Sequence, residues 1–161
     1  MIKQISHISY LVSDMKKSLE FYCDILGFEK AFEILDDDGQ PWLNYLKICE
    51  GQFIELFFGG ETKSLDIQQQ AELQYKISQR ICKSGQDFGK TIYAGYLHLC
   101  LEVDDIFKLS NHFKENGIRI EIEPKLGKDR NYQCWVNDPD GNKIEFMQID
   151  PESPQAKKSE C

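Results

Sequence analysis

Histidine is scarce in this 161-residue chain: there are three, at positions 7, 98 and 112. Proline is nearly as rare, with five, and no two of the six cysteines form a CxxC pair. The missing pair leaves no signal for a thiolate zinc finger or a redox dithiol, and free thiols of a reducing compartment are expected. No apolar run approaches the length of a membrane span, and residues 1–7 lack the apolar centre of a secretory leader, so a cytoplasmic protein is expected. Positive charge is also short: 19 Lys and Arg stand against 27 Asp and Glu, a net charge of −8. That balance argues against nucleic acid or an anionic membrane as partner.

The chain is rich in self-similarity. His7-Ile8-Ser9-Tyr10-Leu11-Val12-Ser13-Asp14 recurs as His98-Leu99-Cys100-Leu101-Glu102-Val103-Asp104-Asp105, 91 residues on. Gly51-Gln52-Phe53-Ile54-Glu55-Leu56 recurs as Gly141-Asn142-Lys143-Ile144-Glu145-Phe146, 90 residues on. Each copy thus carries one His and one Glu at nearly constant spacing.

Around these anchors the hydrophobic pattern predicts the same element order twice. In the first copy, residues 3–12 alternate as a strand, Asp14 caps a helix to about residue 26, and Gly27 ends it. Strand-like runs follow at 28–35, 42–49 and 52–58, with the turn-rich stretch from Asp36 to Pro41 between the first two. In the second copy a strand at 95–103, a helix at 105–116 stopped by Gly117, and strands at 118–123, 132–137 and 143–149 complete the match. The predicted fold is α+β, built of two βαβββ modules at 1–59 and 93–150. Residues 60–92 form a polar, partly helical connection, whether linker, subunit arm or lid, and 151–161 a flexible tail.

Alternation places His7 with Ile5 and Ser9, and Glu55 with Phe53 and Phe57; His98 points away from the apolar face of Leu97, Leu99, Leu101 and Val103, and Glu145 lies with Lys143 and Met147, opposite Ile144 and Phe146. Imidazole and carboxylate on an enclosed sheet face are costly unless paired, and one divalent cation satisfies all four. Two nitrogens and two oxygens, with open positions for water or substrate, suit Ni, Co, Mn or Fe, or an expanded Zn shell. His112 falls on a helix surface and is not needed for the set.

Residues 7–27, 53–57, 98–105 and 137–146 resemble the vicinal oxygen chelate superfamily, notably in Ser18-Leu19-Glu20-Phe21-Tyr22-Cys23-Asp24-Ile25-Leu26-Gly27-Phe28 and Asn137-Asp138-Pro139-Asp140-Gly141-Asn142. The resemblance implies paired βαβββ modules in a curled mixed sheet around one divalent metal, with His7, Glu55, His98 and Glu145 as ligands. The His/Glu/His/Glu set is most similar to glyoxalase I, for which the metal is most often Ni or Zn. The resemblance further implies a lyase that converts the thiohemiacetal of a 2-oxoaldehyde to a 2-hydroxyacyl thioester through an enediolate, with Glu145 as base and Glu55 as its partner. A small-molecule substrate, a thiol cosubstrate and a homodimer follow from the same likeness. Compact glutathione-using relatives carry Arg and Asn where this chain has Leu11 and Gly59, so the likeness carries no glutathione clamp. Lys128 and Arg130, ahead of the penultimate strand, are candidates to hold an anionic substrate group. An acyl-CoA epimerase and a non-catalytic drug- or metabolite-binding protein of the same superfamily are the alternatives.

Overall fold

The structure is a computed structural model that describes residues 2–59 and 96–159. These divide into two units, one on either side of residues 60–95. The expected connection at 60–92 lies outside the described residues.

In the first unit β1 (His7–Val12) leads into α1 (Met15–Leu19), then β2 (Glu29–Leu35), β3 (Pro41–Cys49) and β4 (Gln52–Phe58). The sheet order is β1-β4-β3-β2, with β1 parallel to β4 and the other neighbours antiparallel. The second unit repeats this with β5 (Leu99–Glu102), α2 (Ile106–Glu115), β6 (Ile120–Leu126), β7 (Tyr132–Asn137) and β8 (Lys143–Gln148), in the order β5-β8-β7-β6. Two four-stranded mixed sheets of one topology thus follow from the repeat. The parallel pair matters most, because it sets the first and last strands of each unit side by side.

The caps recur with the strands. Asp14 accepts from the Lys17 amide at 3.1 Å, while Asp105 accepts from the Phe107 and Lys108 amides at 3.0 and 2.9 Å, both caps at φ −142°. Each satisfies amides that the first helical turn leaves without partners. Asp105→Ala is expected to cost about 1 kcal/mol. A thermal midpoint lowered by roughly 2–4 °C in a circular dichroism melt would show it.

The first helix departs from the regular helix predicted up to residue 26. After Leu19 it widens into a π-helical stretch, Glu20–Ile25, and the Leu26 amide reaches back five residues to the Phe21 carbonyl at 3.0 Å. Within this stretch consecutive Phe21 and Tyr22 are both buried, their rings edge-to-face at 5.0 Å, and Tyr22 stacks on Tyr10 of β1. Gly27 at φ 78° and Gly117 at φ 70° take the left-handed turn after each helix that a side chain would resist.

Two strands are shorter than their alternation predicts, since a ladder ends where its partner ends. β1 begins at His7, opposite Phe53 near the start of β4, and β5 begins at Leu99, opposite Ile144 near the start of β8. His98 therefore sits immediately ahead of β5. Residues 151–159, expected to be a flexible tail, fold into turns and α3 (Ala156–Ser159). Buried Asn131 draws this segment in: its side chain donates to Gln155 and accepts from the Asp150 amide, and the Ser153 hydroxyl accepts from the Ala156 amide.

One face of each sheet is closed by its helix. Val12, Tyr22, Leu46, Ile54 and Leu56 are fully buried in the first unit, and Ile106, Phe113, Cys134, Val136 and Ile144 in the second. The other face carries the His and Glu of the repeat. Cys23, Cys49, Cys100 and Cys134 are free thiols. Among the described residues, no helix is long and apolar enough to cross a membrane.

Candidate metal centre

In the first unit the parallel pairing puts Ser9 of β1 opposite Glu55 of β4, and the antiparallel pairing puts Tyr45 of β3 on its other side. His7, two residues before Ser9, shares their face, and its Nε2 lies 3.7 Å from the Glu55 Oε2. The hydroxyls of Ser9 and Tyr45 both donate to the Glu55 carboxylate. Burial alone would push this group up, but the two hydroxyl donors and His7 outweigh it and hold the carboxylate below its ordinary range. The same bond pushes the Tyr45 phenol up, with desolvation adding to it.

The second unit repeats this with different chemistry. The His98 Nε2 lies 3.0 Å from the Glu145 Oε2. Cys100 of β5 and Trp135 of β7 stand opposite Glu145, where Ser9 and Tyr45 stand opposite Glu55. The Trp135 ring meets His98 edge-on at 4.7 Å between centroids, and the Cys100 thiol donates to Glu145. Burial pushes Glu145 above its ordinary range despite the opposing pull of His98 and Cys100. Desolvation and the neighbouring carboxylate push Cys100 up to about 12.

Each unit thus holds one imidazole and one nearly buried carboxylate, with Glu55 7% and Glu145 5% exposed. Two donor atoms on one cation, each at roughly 2.1 Å, stand about 3.0 Å apart at a right angle and about 4.2 Å apart when opposed. The separations of 3.0 and 3.7 Å fall in that window. The donor types and separations of each pair suit a divalent cation, while among the described residues no three His, Cys, Asp or Glu side chains cluster as a complete cage. The His98 Nδ1, on the other edge of the ring from Glu145, is buried without a hydrogen-bond partner.

The fold brings His7 to Glu55 and His98 to Glu145. Lys128 and Arg130 lie in the turn between β6 and β7, where the Arg130 guanidinium pairs with Asp150 at 3.3 Å. His112 is on α2, hydrogen-bonded through Nδ1 to Asn116 at 3.3 Å. An open cavity of about 680 Å³ in the first unit has Asp36, Trp42 and Phe58 in its walls but neither His7 nor Glu55. Sequence reasoning missed Ser9, Tyr45, Cys100 and Trp135 as neighbours of the carboxylates. The signal was present: Ser9 and Cys100 differ by 91 positions, and Tyr45 and Trp135 by 90, the offsets of the ligand pairs themselves.

A family model described as the Glyoxalase/Bleomycin resistance protein/Dioxygenase superfamily matches residues 4–146. A probable lactoylglutathione lyase of Synechocystis sp. is 29% identical over 146 residues, covering 88% of this chain and 92% of that protein. A lactoylglutathione lyase of Neisseria meningitidis is 28% identical over 148 residues, covering 90% of each. The crystal structure of a lactoylglutathione lyase from Agrobacterium tumefaciens superposes with a TM-score of 0.59 at 20% identity, covering 91% of this chain and 94% of that one.

Proposed function

This chain belongs to the glyoxalase/bleomycin resistance protein/dioxygenase superfamily, and on that premise we propose that it is a metal-dependent lyase of the glyoxalase I type. Its substrate would be the thiohemiacetal formed by a 2-oxoaldehyde and a thiol, its product a 2-hydroxyacyl thioester. The observation that carries the reading is the doubled His–Glu pair, whose members stand 3.7 and 3.0 Å apart at matching places of two matching sheets. The names of the lyase relatives, at 28 and 29% identity, support it.

In this reading His7, Glu55, His98 and Glu145 hold one divalent cation, nickel or zinc first, with cobalt, manganese or iron also suited to the donor set. When bound, the cation supplies Lewis acidity that lowers the cost of negative charge on the substrate oxygens. The proton moves on the protein. Glu145 takes it from the carbon bearing sulfur and hydroxyl, and the neighbouring carbon receives one in return. The first carbon becomes the thioester carbonyl and the ketone carbon becomes the alcohol, with no atom gained or lost. Glu55 is the partner carboxylate on the other side of the substrate. Lys128 and Arg130 are proposed for an anionic group of the substrate, and Arg130 would have to leave Asp150 to serve there. The assembly is proposed to be a homodimer.

The test is elemental analysis of purified protein, joined to turnover of methylglyoxal with glutathione and other cellular thiols after loading with Ni, Co, Mn or Zn. One metal per site with turnover is expected, together with a dimer by light scattering. Bound metal without turnover of any thiol adduct would overturn the lyase reading, and solvent deuterium exchange into acyl-CoA thioesters would then identify an epimerase. Tight small-molecule binding with no metal under any loading would identify a binding protein instead.

A further inference from the structure

The face of the first sheet that carries His7 and Glu55 is graded in charge along its strands. On one side of Glu55 the register sets Leu11, Phe57, Leu43 and Ile34 in a row across the sheet, a row without a polar side chain, in which Leu11 and Ile34 are exposed. On the other side the row is His7, Phe53, Lys47 and Glu29. Lys47 lies on β3, an inner strand, so it is not one of the charges that guard a sheet edge. It stands diagonal to Glu55, a relation that sets backbones about 7–8 Å apart and lets a long side chain reach across. Yet Lys47 makes no ion pair among the described residues, and it is not among the groups that hold the Glu55 carboxylate down. Glu29 faces it from the exposed edge strand β2 without pairing. The ammonium nearest Glu55 on this face is therefore uncommitted, and it stands on the side away from the apolar row.

Given the lyase reading, on which the assignment rests, we propose that Lys47 is a specificity-determining residue whose ammonium binds a carboxylate on the thiol half of the thiohemiacetal. The substrate then lies along the strands, its thiol half toward the row of His7 and its aldehyde half toward Leu11 and Ile34. A carboxylate set against Leu11 and Ile34 would lose water and gain no partner, whereas at Lys47 it gains a charged hydrogen bond. Arg130, by contrast, already has a counterion in Asp150. The chain thus selects a carboxylated thiol over a neutral one.

The experiment compares two methylglyoxal adducts on the metal-loaded full chain, one of glutathione, which carries carboxylates, and one of 2-mercaptoethanol, which is neutral. Calorimetry of S-methylglutathione with the zinc-loaded protein adds a binding constant that owes nothing to turnover. Lys47→Met keeps the apolar stem and removes the charge. It is expected to raise KM for the glutathione adduct about 10-fold with kcat unchanged, to weaken S-methylglutathione by a similar factor, and to leave the 2-mercaptoethanol adduct as it was. Lys47→Arg restores the charge and is expected to recover most of the loss, and a thermal melt shows that each variant folds. Wild-type protein that binds metal but turns over neither adduct would sink the lyase reading itself. Turnover by the wild type, beside a folded Lys47→Met protein with the same KM and the same affinity for S-methylglutathione, would overturn the role of Lys47 alone. A wild-type kcat/KM higher for the 2-mercaptoethanol adduct than for that of glutathione would overturn the selection of a carboxylated thiol.

Discussion

On the proposed lyase reading, Glu145→Gln is expected to lower kcat for the thiohemiacetal by about 10²–10⁴ while the fold is kept. The substitution preserves size and an oxygen to accept from Cys100, but an amide does not take up the proton that must leave the substrate carbon. The metal-free fold should be at least as stable as the wild type. Burial raises Glu145 above its ordinary range, so the ionised carboxylate opposes folding. The sign is definite: the wild type loses stability as pH rises from the ordinary carboxylate pKa through the raised folded value, and below that window the two proteins converge. Kinetics at saturating metal, paired with melts of the metal-free proteins at acid and neutral pH, measure both effects. A Glu145→Gln enzyme that keeps more than a tenth of wild-type kcat would remove Glu145 from the proton path.

Phe113→Ala is expected to be the costliest change in the second unit, at about 3–5 kcal/mol. Phe113 is fully buried on α2, and its ring meets Phe146 of β8 edge-to-face at 5.1 Å between centroids. Truncation removes the apolar transfer energy of an aromatic ring and leaves a cavity between a helix and a sheet that cannot close on it. Phe146 directly follows Glu145 and points to the opposite face of β8, so loosening this contact also loosens the strand that carries the carboxylate. Urea unfolding followed by circular dichroism gives the loss directly. A cost below about 1 kcal/mol would mean that α2 is not anchored through this ring.

The parts of the fold legible in the sequence are those whose cause is local. Asp14 and Asp105 announce helix starts because a carboxylate satisfies amides two or three residues on, and alternation sorts His7 with Ser9 and Glu55 with Phe53 within their own strands. What escaped depends on partners. The widened turn at Glu20–Ile25, where adjacent Phe21 and Tyr22 are both buried, has no signature in the helical pattern, and the shortness of β5 follows from where β8 begins. Tyr45 reaches Glu55 only because β3 lies beside β4, and a lone tyrosine in a strand carries no such message. The basic turn holding Arg130 was visible as charge; its counterion Asp150, twenty residues on, was not. The tail was read from composition, whereas its fold hangs on one buried side chain, Asn131.

The turn at Arg130 carries the repeat down to single backbone angles. Gly39 turns the corresponding hairpin of the first unit at φ 75°, and 91 positions later Arg130 adopts φ 76°, a left-handed conformation that a glycine accepts freely and an arginine does not. The ion pair of Arg130 with Asp150 at 3.3 Å stands against the strain of that backbone. The two units thus agree in backbone at this corner where their side chains differ, as they do beside the carboxylates, where Ser9 and Cys100 occupy matching register positions.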